Sequence, residues 1–189
     1  MRIIGGERRG RRLARWQGES IRPLRDRVRT ALFDTLGEAV VGAEVLDLFA
    51  GTGAVGFEAL SRGAKRATFV DSAAEAIRII RENATKLGYE NCVEIIQGDA
   101  AKTVKSLARR GKRYDLVFIG APYGTELAQE ALRALAEALP LRSGALVVVE
   151  TFHKEGLSDT FKPLELVDSR VYGETRLTYF RFGLGEENR

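Results

Sequence analysis

The sequence contains almost none of the residues that build disulfide frameworks or metal sites. It has one cysteine and one histidine, His153, among 189 residues. A single cysteine excludes a disulfide framework within the chain, and one cysteine with one histidine argues against a zinc site. We therefore expect no metal. Any chemistry must use carboxylates, backbone groups, an aromatic ring or a cofactor.

Long apolar runs are also missing. No run approaches the ~20 residues of a membrane-spanning helix, and the arginine-rich N-terminus lacks the apolar segment of a secretory signal. Hydrophobic residues make up 44% of the chain and charged residues 30%, which is typical of a globular protein in water. We expect one cytoplasmic protein domain with no membrane partner.

Positive charge is concentrated at one end. Residues 1–30 hold ten arginines and three acidic residues, a net charge of +7, whereas the rest of the chain has a net charge of −3. Arginine-rich segments commonly bind polyanions, because the planar guanidinium group can bind phosphate through two hydrogen bonds. A solvated surface without a partner is the alternative interpretation.

Strand and helix patterns alternate along most of the chain. A helix is predicted at 25–36, ending at Gly37. Strands follow at 44–49, 66–70, 93–97, 116–119 and 145–150, with a helix between each pair. This rhythm predicts an α/β fold with a doubly wound, mostly parallel sheet.

The two chain ends break this rhythm. Runs at 164–171 and 176–182 are joined by only four residues, which leaves no room for a crossover helix, so they predict an antiparallel pair at one sheet edge. Residues 1–21 predict a small basic arm or hairpin, residues 22–183 the main domain, and residues 184–189 a loose tail.

A glycine-rich loop follows the first strand. Gly51, Gly53 and Gly56 have the G-x-G-x-x-G spacing of a dinucleotide site, and glycines allow the backbone to approach a ligand. Asp47 argues against a dinucleotide, because a carboxylate beside the loop would repel a pyrophosphate. It would attract a cation such as the amino group of S-adenosylmethionine. A nicotinamide-dependent oxidoreductase is the less favoured alternative.

Further polar residues end the next strands, where ligands of such sheets bind. Asp71 lies 20 residues past Gly51, where a carboxylate can accept hydrogen bonds from both ribose hydroxyls. Asp99 can accept from an adenine amino group, or it can simply cap the helix that follows. The loop 120–123 follows the fourth strand, next to the expected reactive end of the cofactor.

These motifs resemble one known family. Residues 47–54, 69–71 and 97–100 look like the cofactor motifs of Rossmann-like methyltransferases. Residues 2–6, 22–33 and 172–175 narrow the likeness to the bacterial 16S ribosomal RNA guanine-N2 methyltransferase family. The resemblance implies a seven-stranded Rossmann-like sheet, S-adenosylmethionine as cofactor, and the 16S RNA of the small ribosomal subunit as partner.

The resemblance also assigns residues to roles. The expected cofactor-binding residues are Asp47, Phe49, Gly51, Gly53, Asp71, Ser72, Asp99 and Ala100. The expected catalytic residues are Gly120, Ala121, Pro122 and Tyr123. The arginines expected to bind RNA are Arg8, Arg9, Arg11, Arg12, Arg22 and Arg25.

The catalytic loop departs from the family pattern. The family has Asp or Asn, then Pro-Pro-Tyr or Pro-Pro-Phe, whereas this chain has Gly120-Ala-Pro-Tyr123; position 24 is Leu where Thr is usual. The missing side chain would accept a hydrogen bond from the guanine amino group. Three outcomes stay open: a slow enzyme that Gly120→Asp would accelerate, replacement by a nearby group, or a factor that binds without turnover. An N6-adenine DNA methyltransferase is a further alternative.

Overall fold

The computed structural model describes residues 1–15, 24–157 and 160–183. Within these residues the α-helices are α1 (Asp26–Leu36), α2 (Ala54–Ser61), α3 (Ala74–Leu87), α4 (Ala100–Arg109) and α5 (Leu127–Ala138). The strands are β1 (Glu44–Leu48), β2 (Arg66–Asp71), β3 (Val93–Gln97), β4 (Tyr114–Ile119), β5 (Leu141–Phe152), β6 (Leu164–Tyr172) and β7 (Thr175–Phe182).

The described strands form one seven-stranded sheet in the order β3-β2-β1-β4-β5-β7-β6. The pairs β3-β2, β2-β1, β1-β4 and β4-β5 are parallel, and β7 runs antiparallel to β5 and β6. The predicted doubly wound sheet with an antiparallel C-terminal pair is therefore confirmed. The order reverses between β1 and β4, which is where such sheets open a crevice for a ligand.

The helices bury both faces of the sheet. One apolar cluster contains residues of α1, α2 and α3, and the other contains residues of α4 and α5. The apolar positions of α3 show why: Ile77, Ile80, Ala84 and Leu87 recur at helical spacing and are all buried. None of the helices in the described ranges is both long and apolar enough to cross a membrane.

Strand β5 is longer than the sequence pattern predicts. It begins at Leu141, although residues 142–144 are polar or glycine, because Leu141 pairs with Tyr114 across an irregular register. Gly144, with φ 79°, lies within this irregular stretch. The composition of residues 141–144 did not predict the start of β5, because the pairing of Leu141 depends on the neighbouring strand β4.

The N-terminal segment (residues 1–15) packs into the main body. Arg2 and Arg12 form an antiparallel bridge, and Ile3 and Leu13 are almost fully buried in the core beside α1 and α2. The prediction of a small basic N-terminal extension is thus not confirmed, because Ile3 and Leu13 of this segment are part of the core of the main domain. The predicted boundary at residue 21 and the predicted tail at 184–189 lie outside the described residues.

The backbone of this segment is bound by buried polar side chains. The amides of Ile4 and Gly5 each donate to the Glu58 carboxylate at 2.8 Å. The amide of Ala14 donates to Oδ1 of Asn83 at 2.7 Å. Because both acceptors are fully buried, deleting the segment would leave them without these donors. Deletion is therefore a poor test of RNA binding, and surface charge substitutions are preferable.

Candidate active site

A cavity of about 510 Å³, the main cavity, opens at the carboxyl ends of β1 to β5. Its volume lies within the usual range of ligand sites, about 300–1,000 Å³. Ten of the twelve residues predicted to bind cofactor or act in catalysis line it; Asp47 and Gly53 do not. The lining residues are Phe49, Gly51, Val70, Asp71, Ser72, Ala73, Gly98, Asp99, Ala100, Gly120, Ala121, Pro122, Tyr123, Leu127 and Glu150.

The Asp71 carboxylate is fixed at the end of β2. Its Oδ2 accepts a hydrogen bond from the Gly51 amide, and its Oδ1 accepts one from the Ala73 amide, both at 2.9 Å. These bonds join the glycine loop to the start of α3 and hold one orientation of the carboxylate. Phe49, at the other side of the loop, has φ 60°, a conformation that is uncommon for a residue with a side chain and that clusters at ligand sites.

Asp47 lies beneath the loop rather than in the main cavity. It is 1% exposed, and its Oδ2 accepts a hydrogen bond from the Gly56 amide at 3.0 Å. Burial, helped by the nearby charge of Asp71, raises the pKa of Asp47 from 3.8 to about 8, although the Gly56 amide opposes this. The predicted negative charge for a cofactor amino group is therefore largely neutralised near pH 7, since desolvation disfavours the carboxylate.

The second and third glycines of the loop serve packing. A Cβ on Gly53 would lie 2.6 Å from the Phe57 ring, and a Cβ on Gly56 would lie 2.3 Å from the Phe69 ring. Gly53 also has φ 77°. Both glycines thus allow α2 to lie close to β2. Of the three, only Gly51 lines the main cavity.

Asp99 and Ala100 meet the main cavity at the start of α4. Asp99 is the N-cap of this helix, and its Oδ1 accepts a hydrogen bond from the Lys102 amide at 2.9 Å. Asp99 therefore caps α4, which was one of the two roles that the sequence suggested for it. Asp99 lines the main cavity as well, so capping fixes a carboxylate at its rim.

The loop 120–123 forms the opposite wall. The Gly120 amide donates to the carbonyl of Leu48 at 3.1 Å, which ties the loop to β1. The Tyr123 hydroxyl donates to Oε1 of Glu150 at 2.7 Å and lies 3.1 Å from Oγ1 of Thr175. Strands β5 and β7 therefore help to orient the Tyr123 ring.

Glu150 was not singled out in the sequence, and the structure places it in this site. It is the tenth residue of β5, is 9% exposed, and lines the main cavity. The same rule that selected Asp71 could have found it, because Glu150 is the last residue of the predicted fifth strand. It also lines a smaller side cavity of about 280 Å³, which shares Ala121, Pro122 and Glu150 with the main cavity.

The arginines expected to bind RNA divide into two groups. Arg8 is partly buried: its Nε donates to the carbonyl of Leu87 at 2.9 Å and its guanidinium lies 5.5 Å from the centre of the Tyr89 ring. The others that the structure describes are exposed, and Arg22 lies outside the described residues. The exposed members are Arg9, Arg11, Arg12 and Arg25.

Comparison with known proteins agrees with this fold. Residues 1–181 match the family described as Conserved hypothetical protein 95. Ribosomal RNA small subunit methyltransferase D of Escherichia coli K12 is 33% identical over 189 residues, which is 100% of this chain and 93% of the relative. The protein of the same name from Haemophilus influenzae is 36% identical over 152 residues, covering 80% and 78% of the two chains.

A solved structure supports the same assignment. The structure of yhhF from Escherichia coli, provisionally assigned as a methyltransferase, superimposes with a TM-score of 0.85 at 31% identity and covers 97% of this chain and 98% of that one. The resemblance to small-subunit ribosomal RNA methyltransferases noted from the motifs is confirmed by these relatives. The chain therefore belongs to the Conserved hypothetical protein 95 family, and its fold is that of the Rossmann-like methyltransferases.

Proposed function

We propose that this protein uses S-adenosylmethionine to methylate the exocyclic N2 of a guanine in 16S ribosomal RNA of the small ribosomal subunit. The observation that carries this proposal is the position of the loop 120–123. It forms one wall of a cavity whose other end is lined by the carboxylates of Asp71 and Asp99, in a chain whose relatives are named ribosomal RNA small subunit methyltransferases.

The residues of the main cavity fit S-adenosylmethionine. In this proposal Asp71, held by the Gly51 and Ala73 amides, accepts hydrogen bonds from the two ribose hydroxyls, and Asp99 accepts one from the adenine amino group. Phe49, Ala100 and Leu127 offer apolar contact to the rest of the cofactor. Gly51 and Ser72 also line this cavity.

A dinucleotide fits less well. Its pyrophosphate would need backbone amides of the glycine loop, but the Gly51 amide already donates to Asp71. The carboxylate of Asp71 would also lie beside the pyrophosphate charge. Repulsion by Asp47 contributes little to this preference, because its raised pKa removes most of its charge near neutral pH.

When bound, S-adenosylmethionine supplies a methyl group on a positively charged sulfonium. The protein contributes position and electrostatics: the backbone carbonyls of Gly120 and Ala121 can accept hydrogens of the guanine amino group. The Tyr123 ring, held by Glu150 and Thr175, offers a stacking surface for a base turned out of its helix. Positioning of two reactants in this way accounts for much of the rate in such transfers.

The exposed arginines bind the RNA in this proposal. Arg9, Arg11, Arg12 and Arg25 are all exposed, and ionic interactions of this kind with phosphates dominate affinity and make it sensitive to salt. Arg8 serves instead to pack the N-terminal segment on α3. Arg25 also approaches Glu174 at 4.0 Å, next to the hairpin between β6 and β7.

The test is methyl transfer from labelled S-adenosylmethionine to small subunits isolated from a strain that lacks this gene. Nuclease digestion and mass spectrometry should show N2-methylguanosine at one position. Calorimetry should show binding of S-adenosylhomocysteine. Methylation of adenine in DNA, or binding of NADH with no response to S-adenosylhomocysteine, would contradict the proposal.

One alternative has an observation in its favour. Because residue 120 is glycine, the protein would lack the family's acceptor if nothing replaced it. It could then bind cofactor and RNA without turnover. Wild-type protein that binds S-adenosylhomocysteine and small subunits but shows no transfer in a single-turnover assay would support this alternative.

A further inference from the structure

We propose that Glu150 takes the place of the side chain missing at Gly120 and accepts the hydrogen of the guanine amino group during methyl transfer. This inference rests on the proposed function. It assigns a catalytic role to a residue of β5 that lies 30 positions after Gly120 in the chain.

The geometry around Gly120 carries the proposal. A Cβ built on Gly120 would lie 3.7 Å from Oε2 of Glu150, and its other near neighbours belong to the Phe118 ring. An aspartate or asparagine side chain would extend beyond this Cβ. The Glu150 carboxylate is therefore a polar group beside the space that such a side chain would occupy.

The carboxylate is also held in one orientation. Glu150 is paired with Leu177 of β7 in the middle of the sheet, and its Oε1 accepts a hydrogen bond from the Tyr123 hydroxyl at 2.7 Å. A side chain on a rigid strand, supported by a second residue, meets the positional demands of catalysis. The Tyr123 ring, which is the proposed stacking surface, is thereby hydrogen-bonded to Glu150, the proposed acceptor.

The two cavities place Glu150 at the point of transfer. It lines both the main cavity, which fits the cofactor, and the side cavity. Ala121 and Pro122 of the catalytic loop line both as well. A base that entered through the side cavity would meet the cofactor beside these three residues.

In the proposed methyl transfer, Glu150 is the proton acceptor. The N2 lone pair forms a bond to the methyl carbon as the carbon–sulfur bond breaks, and the electron pair of that bond stays on sulfur. The proton of N2 passes to the Glu150 carboxylate and from there to solvent. A carboxylate aimed at the amino group also favours the tetrahedral nitrogen that attack requires.

Glu150→Gln tests this directly. The amide oxygen of glutamine can keep the hydrogen bond from Tyr123, which turns its NH2 group, a donor, toward the Gly120 side. Single-turnover transfer to small subunits should fall by about 10² to 10³-fold. Without cofactor, filter binding should show about tenfold weaker affinity for unmethylated subunits. Glu165→Gln, an exposed change on β6, is the control and should match wild type in both assays.

A rescue experiment separates catalysis from a structural role. Gly120→Asp alone places a second carboxylate beside Glu150 and a Cβ 3.0 Å from the Phe118 ring, so it should lower transfer, the opposite of the acceleration expected of a slow enzyme. Gly120→Asp combined with Glu150→Gln leaves one carboxylate in the same space. This double variant should be at least about tenfold faster than Glu150→Gln and should bind unmethylated subunits more tightly than that single variant.

The outcomes are distinct. Transfer by wild type with an equally active Glu150→Gln variant would overturn this inference and leave the proposed function standing. A double variant no better than Glu150→Gln, or faster transfer by Gly120→Asp alone, would also overturn it. Absence of transfer by wild type that still binds S-adenosylhomocysteine would overturn the proposed function and this inference together.

Discussion

Removal of the Glu58 carboxylate tests how the N-terminal segment stabilises the fold. Glu58 is fully buried in α2. Its two oxygens accept hydrogen bonds from the amides of Ile4 and Gly5 and from Nε of Arg62, each at 2.8 Å. Oε2 also lies 3.7 Å from Nε of Arg29, which is itself fully buried. Glu58→Ala would remove all of these acceptors at once.

The expected decrease in the free energy of unfolding is large. Removing one partner of a buried ion pair costs about 3–5 kcal/mol, because the other charge stays buried without compensation. Arg29 would keep its hydrogen bonds to the Arg2 carbonyl and to Asp26, so we expect a value near the lower end, ~3 kcal/mol. In a domain of this size that corresponds to a fall in melting temperature of about 6–12 °C.

Urea unfolding followed by circular dichroism measures this change. Glu82→Ala is the matched control, since Glu82 is an exposed glutamate on α3 that forms an ion pair with Arg78, one helical turn away, at 3.1 Å; it should cost less than about 1 kcal/mol. Hydrogen exchange adds a local readout, because the amides of Ile4 and Gly5 should exchange faster in Glu58→Ala. A destabilisation no larger than that of Glu82→Ala would refute the reasoning.

Three further changes test other parts of the structure. Asp47→Asn should remove a pH dependence: with a pKa of about 8 against an ordinary 3.8, the contribution of Asp47 to wild-type stability is fully present below pH 4 and falls by up to ~1.4 kcal/mol per pH unit toward pH 8, so urea unfolding from pH 5 to 8 should show a flatter profile in the variant. Gly56→Ala places a Cβ 2.3 Å from an aromatic ring of β2 and should cost about 1–3 kcal/mol, whereas Gly156→Ala meets no atom within 4 Å and should unfold at the wild-type urea concentration. Arg11→Gln with Arg12→Gln should leave stability unchanged but lower RNA affinity and reduce the salt slope by about one for each phosphate that the variant no longer binds; an unchanged slope in filter binding would exclude these two arginines as phosphate ligands.

The sequence by itself determined where strands and helices alternate along the chain. It also determined that the candidate active site lies at the carboxyl ends of the parallel strands. Alternating strand and helix periods predict a parallel sheet, and a four-residue link at 172–175 predicts a hairpin, because both are local patterns. Asp71 and Asp99 were placed at strand ends for the same reason. Parallel strands then bring these ends to one edge, where the main cavity lies.

Only the tertiary structure decided what several of these residues do. The raised pKa of Asp47 depends on desolvation by the surrounding loop and sheet, and the need for glycine at position 56 depends on the Phe69 ring of another element. The same holds for Glu150 beside Gly120, two residues far apart in the chain. Charge state, close packing and distances between remote residues follow from how elements pack together, and local sequence patterns do not contain that information.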